Sequence, residues 1–250
     1  MQGAREVEFI RPAALNFKNV RGGFSLRHGG GSSEPYHSLN LGLSGGDDAE
    51  IVHENRRRLF AMAGLPADRL AIAGQIHGAN VARASDPGLY PGMDALVTRS
   101  AHLVLCITAA DCAVILLADS GARVVGACHS GWRGTVDHIV ENTVEAMQDL
   151  GARPEHLHAF VSPCISADHF EVGHEVAARF SDQYVLERDD WPRPHVDLKS
   201  AIRDQLLKCG LRASSIEISP HCTFTETDAF FSYRAEKGKT GRMMGFISLL

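Results

Sequence analysis

In the stretch ADCAVILLADSGARVVGACHSGWRG, residues 110 to 134, a carboxylate and a thiol, Asp111 and Cys112, stand just before one apolar run, and an imidazole, His129, closes the next. A thiol facing an imidazole has two chemical uses. The pair can hold a metal ion, with the bonds of about 2.3 Å from sulfur and 2.0–2.1 Å from nitrogen that zinc makes. Alternatively, the imidazole takes the thiol proton and leaves a nucleophile. A catalytic zinc site needs a third protein ligand and leaves a fourth position open. Among thirteen histidines, His77 in QIHG has the most suitable surroundings: it follows an apolar residue at an apparent strand end, and Gly78 permits close approach of backbone. Each of these residues also has an ordinary use, cysteine as a small buried apolar group, histidine as a hydrogen-bonding strand end, and Asp111 as an acceptor for loop amides.

The elements around these residues decide whether they meet. Ser120-Gly121 reads as a two-residue hairpin turn that pairs Asp119 with Ala122. That register carries through to Cys112 opposite His129, on one side of the sheet with Cβ atoms about 4.5–5.5 Å apart. Asp111 then falls opposite Ser130 on the other face, unless the strand has ended before it.

Further short strands are expected over 94–98, 103–108, 113–118 and 122–128, with strand-like HAFVSP and IEISP later. A capped helix starts at Asp47 and stops at Gly64; another runs from Thr135 to Leu150 with Ile139, Val140, Thr143, Val144 and Met147 on one face. HEVAARFSDQY and LKSAIRDQLLKCG also read as helices. Residues 21–48 are rich in glycine, serine and histidine and read as a loop, a candidate flap. Strands and helices neither alternate strictly nor separate, so the expected fold class is α+β: a mixed-sheet α/β sandwich forming a single domain over 1–250.

Net charge −5 argues against a broad nucleic-acid footprint, while a small anionic substrate needs only one or two arginines. Six cysteines without regular short spacing suit reduced thiols in a cytoplasmic protein rather than a secreted disulfide framework. The N-terminus lacks the apolar core of an export signal, and the most apolar stretch, 103–118, is too short for a membrane span.

QIHGANV, DALVT, AADCAVILLAD, HSGWRGT, SPCI with FEVG, and HCTF followed by FFSYR and TGR occur in that order. Together they resemble the landmarks of the YfiH-like laccase-domain family, over nearly the whole chain from about Arg21. Departures are Ser130, Ser162, Ala109 and Val114 within the motifs, and a longer loop over 26–34. The resemblance implies a YfiH-like, cysteine-hydrolase-like fold and a zinc site made by His77, Cys112 and His129. It also implies phosphorolysis of adenosine, inosine and methylthioadenosine, with adenosine deamination at the same site.

For deamination, a metal-activated water would attack C6 of adenine, with Asp111 the nearest carboxylate to shuttle protons. For phosphorolysis, Arg56 and Arg133 are candidates to hold phosphate, and Asn40 to bind sugar or base edges. The competing chemistries are a cysteine hydrolase using Cys112 and His129, and copper-dependent phenol oxidation. Copper is the less expected metal, because multicopper oxidases use repeated His-x-His pairs and this chain has one, at 156–158. Purine nucleosides and phosphate are the expected partners, with neither nucleic acid nor membrane; oligomeric state is left open.

Overall fold

The apolar runs that end near Asp111 and His129 hardly alternate with polar residues because both faces of their strands are covered. In the computed structural model, which describes residues 6–250, two six-stranded mixed sheets pack face to face. Strands β1 (Phe9–Ile10), β2 (Val20–Ser25), β3 (Leu70–Gly74), β5 (Gly88–Pro91), β7 (Val104–Ala109) and β14 (Met243–Leu249) form the first, ordered β1-β2-β14-β7-β3-β5. The second consists of β4 (Val81–Arg83), β6 (Ala95–Thr98), β8 (Ala113–Asp119), β9 (Val124–Ser130), β10 (His158–Val161) and β13 (Ile216–Ile218), ordered β13-β10-β8-β9-β6-β4. A small ribbon of β11 (Val185–Leu186) and β12 (His195–Val196) lies apart from them. The helices are α1 (Ala49–Ala63), α2 (Trp132–Val136), α3 (Ile139–Gln148), α4 (His174–Ala177) and α5 (Leu198–Lys208).

Alternate residues of each central strand serve two cores. In β8, Val114, Leu116 and Ala118 enter the layer between the sheets, and Ala113, Ile115 and Leu117 face Val140, Val144 and Met147 of α3 and Ile202 and Leu206 of α5. In β7, Leu105 and Ile107 point inward while Val104 and Cys106 pack on Leu59 and Phe60 of α1. The result is four layers, helix, sheet, sheet, helices, in agreement with the expected mixed sandwich. None of the described helices is long and apolar enough to cross a membrane.

Helix α1 starts and stops where its sequence indicates: Asp48 accepts a hydrogen bond from the Glu50 amide at 2.8 Å, and Gly64 takes the left-handed conformation at φ 65°. Three other expectations need correction. Residues 21–48 are not all loop, because Gly22 and Gly23 lie in β2, where a side chain on Gly23 would sit 2.5 Å from the Phe9 ring. The remainder is pinned by Asn55, whose amide donates to Ser32 Oγ and to the carbonyls of Ser38 and Asn40. The helix expected over 135–150 is two helices, broken where His138 adopts φ 64°. HEVAARFSDQY makes only the single turn α4 and a 3-10 turn at Asp182–Tyr184.

The hairpin also differs. Asp119 pairs with Val124, so the loop spans 120–123, and His129 pairs with Val114 instead of Cys112. The Asp119 carboxylate causes this, since it accepts from the Ala122 amide at 2.9 Å and the Arg153 amide at 3.0 Å and so closes a wider turn. A slip of two residues leaves every side chain on its original face. Cys112 therefore remains on the His129 side, one step beyond the strand.

Candidate metal centre and cavity

His129 sits inside β9 and is buried; Cys112 immediately precedes β8 and is half-buried; His77 lies in the exposed loop after β3. One ligand atom from each lies within 4.8 Å of the others, a spacing that one ion can bridge. The His77 and His129 rings meet edge to face with centroids 4.8 Å apart. Gly131 makes room for this cluster, because a Cβ there would fall 2.8 Å from the Cys112 sulfur and 3.5 Å from His77 Nδ1.

Asp94, just before β6, holds both histidines. Its carboxylate accepts from His129 Nδ1 at 2.9 Å and from the Ile76, His77 and Gly78 amides at 3.0, 3.0 and 2.8 Å. The His129 contact fixes the proton on Nδ1 and leaves Nε2 as a ligand, while the amide contacts wrap the QIHG loop and set His77 at φ 59°. One thiol and two imidazoles, one with its remote nitrogen tied to a buried carboxylate, form a donor set that fits a zinc-sized divalent ion. Sequence reasoning gave Asp94 no role. Asp94 opens DALVT, but its partners lie 16 to 35 residues away and three of them are backbone amides.

The electrostatics are those of a thiolate site. Burial pushes the Cys112 thiol up, but the charge and hydrogen bond of His129, with those of His77, outweigh it and leave the thiol well below its ordinary value. Burial lowers His129, yet the Cys112 sulfur and the Asp94 carboxylate together raise it. Asp94 is raised by burial but finishes low, through the His129 bond and the loop amides.

These residues open on a cavity of about 810 Å³, with Gln75, Trp132, Phe170, Tyr233, Arg234 and Arg242 among its walls. Of the residues singled out from sequence, His77, Asp111, Cys112, His129 and Arg56 line it. Asp111, at φ 81°, has left the pleat; its carboxylate accepts from Thr223 Oγ1 at 2.7 Å, Ser232 Oγ at 2.8 Å and the Arg234 amide at 2.7 Å. Arg56 is buried at 6% exposure and donates to the Leu41 carbonyl from Nε at 3.0 Å and Nη2 at 2.7 Å.

Asn40 and Arg133 stand apart from the cavity lining. Asn40 is buried behind the wall, where Oδ1 accepts from the Gly42 and Arg242 amides at 3.1 and 2.8 Å and Nδ2 donates to Asp47 Oδ2 at 2.9 Å. Arg133 is exposed, its guanidinium 4.5 Å from the centre of the Trp132 ring. Arg234 in FFSYR and Arg242 in TGR line the cavity although the sequence gives neither a role. Nothing in their local spacing distinguishes them from surface arginines.

Comparison with known proteins places this architecture. Residues 21–250 match a family model described as multi-copper polyphenol oxidoreductase laccase. A Deinococcus radiodurans protein named purine nucleoside phosphorylase is 46% identical over 230 residues, which span 90% of this chain and 88% of that one. Purine nucleoside phosphorylase YfiH of Escherichia coli is 35% identical over 241 residues, covering 93% and 95%. The crystal structure of YlmD from Geobacillus stearothermophilus superposes with a TM-score of 0.90 at 33% identity, covering 100% of this chain and 98% of the other.

Proposed function

Because the chain belongs to the YfiH-like laccase-domain family, in which relatives bear the name of an enzyme, purine nucleoside phosphorylase, we propose that it is a zinc-dependent purine nucleoside phosphorylase that also deaminates adenosine. The observation that carries this reading is the His77–Cys112–His129 cluster, braced by Asp94, on the wall of a cavity large enough for a nucleoside. A bound zinc ion supplies a Lewis acid there.

Phosphorolysis joins a phosphate oxygen to C1′ of the ribose as the bond from C1′ to the purine nitrogen breaks. The departing base keeps that electron pair and takes up a proton. Apolar walls such as Phe170 and Trp132 suit the purine ring, and the Arg56 guanidinium suits phosphate. Arg133 is assigned the outer approach to the anion. Asp111 lies next to Cys112, but with three donors on its oxygens it is better suited to holding the Tyr233–Arg234 wall than to shuttling a proton.

Product analysis tests the reading. With inosine and phosphate the zinc-loaded protein should release hypoxanthine and ribose 1-phosphate, and with adenosine it should yield adenine and some inosine. Both activities should be lost together in His129→Ala. Arg133→Ala should reduce phosphorolysis more than deamination, and equal losses would remove it from phosphate binding.

A second reading draws on the same geometry. Cys112, His129 and Asp94 form a thiol–imidazole–carboxylate chain, the arrangement of a cysteine hydrolase. No nucleoside turnover by zinc-loaded protein, together with activity of metal-free protein on acyl substrates, would favour it. Two imidazoles and a thiolate can also bind copper, so elemental analysis of the purified protein decides the metal; about one zinc per chain is expected.

A further inference from the structure

Two arginines on the cavity wall keep guanidinium hydrogen-bonding capacity that no ion pair among the described residues uses. Neither Arg56 nor Arg242 forms an ion pair among the described residues, although burial lowers the proton affinity of both. Every other use of their guanidinium hydrogen bonds is to backbone. Arg56 donates from Nε and Nη2 to the Leu41 carbonyl; Arg242 donates from Nη1 to the Thr240 and Gly241 carbonyls, both at 2.9 Å. This leaves Nη1 of Arg56 and Nε and Nη2 of Arg242 without a protein acceptor among the described residues, and none of them is a sealed orphan.

Both side chains are brought to the same short segment. Arg56 binds the carbonyl of Leu41, while the stem of Arg242 lies across Gly42, where a Cβ would approach its Cγ to 2.6 Å. The backbone of Arg242 is fixed as well: its amide donates to Asn40 Oδ1 at 2.8 Å and its carbonyl accepts from the Leu41 amide at 3.0 Å. Partly desolvated cations that are rigidly held and make no ion-pair contact, with Cys112 and Asp111 acting on Arg242 only through space, make a ready site for an anion. Carbonyl acceptors orient the guanidinium groups without neutralising them.

We propose that Arg56 and Arg242 together form a subsite for inorganic phosphate in the cavity that they share with His77, Cys112 and His129. The phosphorylase reading supplies the identity of the anion; the two unpaired guanidinium groups supply the site. Arg242 is thereby added to the substrate-binding residues. Its stem position over Gly42 makes that glycine a part of the site, since any larger residue would displace it.

The test is equilibrium binding of inorganic phosphate, by calorimetry without nucleoside, to the wild-type protein and to Arg242→Gln, Arg56→Gln and Arg58→Gln, the last an exposed arginine of α1 that pairs with Glu54 away from the cavity lining. Arg242→Gln and Arg56→Gln should each weaken phosphate binding about tenfold or more, the usual scale for losing a charge-assisted contact, and Arg58→Gln by less than about twofold. Arg242→Lys keeps the charge without the fork and should fall between. Melting curves identify any variant that fails to fold; if Arg56→Gln does, the Arg242 pair alone decides.

Unchanged phosphate affinity in folded Arg242→Gln overturns the subsite even if phosphorolysis proceeds. Phosphate binding that depends on both arginines, in a protein that turns over no nucleoside, would uphold the subsite and overturn the phosphorylase reading. A parallel titration with adenosine 5′-monophosphate separates free phosphate from a phosphate ester: arginine dependence confined to the nucleotide overturns the assignment to inorganic phosphate.

Discussion

Asp94 concentrates the positioning of two candidate ligands in one side chain, and that makes it the most informative residue to change. In Asp94→Asn, the amide group cannot accept from all the loop N–H groups and His129 together. Metal affinity should fall about 10–100-fold, read by competition with a chelator, as for other carboxylates that orient a ligating histidine. Undiminished affinity would mean that packing alone orients the rings. Gly131→Ala should lower metal content with little change in melting temperature, because its Cβ would press on the Cys112 sulfur.

A third expectation concerns the metal-free protein. Since His129 and His77 hold the Cys112 thiol below its ordinary value, the thiolate is present at lower pH than in a free cysteine. Alkylation by iodoacetamide should set in correspondingly early as pH rises, and zinc should block it. A profile rising only near the ordinary thiol value of about 8.5 would contradict the thiolate site. At this scale the sequence made the shared face of Cys112 and His129 legible by strand parity, which survives the slip of two that overturned their direct pairing. It concealed Asp94 and Arg242, whose roles depend on partners that no local spacing announces.

Among the elements, α1 was the most legible, because both of its ends carry their own signals. Asp48→Ala should cost about 1 kcal/mol and lower the melting temperature while leaving metal content unchanged. The hairpin was less legible, since its width depends on a side chain, Asp119, whose second partner is the amide of Arg153 in a distant turn. The 135–150 helix kept its apolar stripe but hid its break at His138, where non-glycine residues give little warning of positive φ. Packing between the sheets is equally invisible in the sequence. Gly245 in β14 faces Val114 of β8, and a Cβ there would lie 2.5 Å from Val114 Cγ1. Gly245→Ala should therefore cost about 1–3 kcal/mol through overpacking, measured by denaturant unfolding.

At the scale of the whole molecule, the mixed sandwich was legible from element types, while strand order was not. The strand β14 lies between β2 and β7 and pairs with both, antiparallel. A hydrogen bond from the Met244 amide to Ser25 Oγ spans 219 positions of sequence. During synthesis, then, β2 and β7 leave the ribosome long before the strand that joins them, and each waits with an unpaired edge. Nascent chains arrested before residue 243 should remain sensitive to protease in the first sheet, and chains extended through residue 249 and released should become resistant. Contacts so distant in sequence also predict slow refolding. The segment that completes this sheet directly follows Arg242, so a ribosome that has not yet made β14 has produced the three candidate metal ligands but no finished pocket around them.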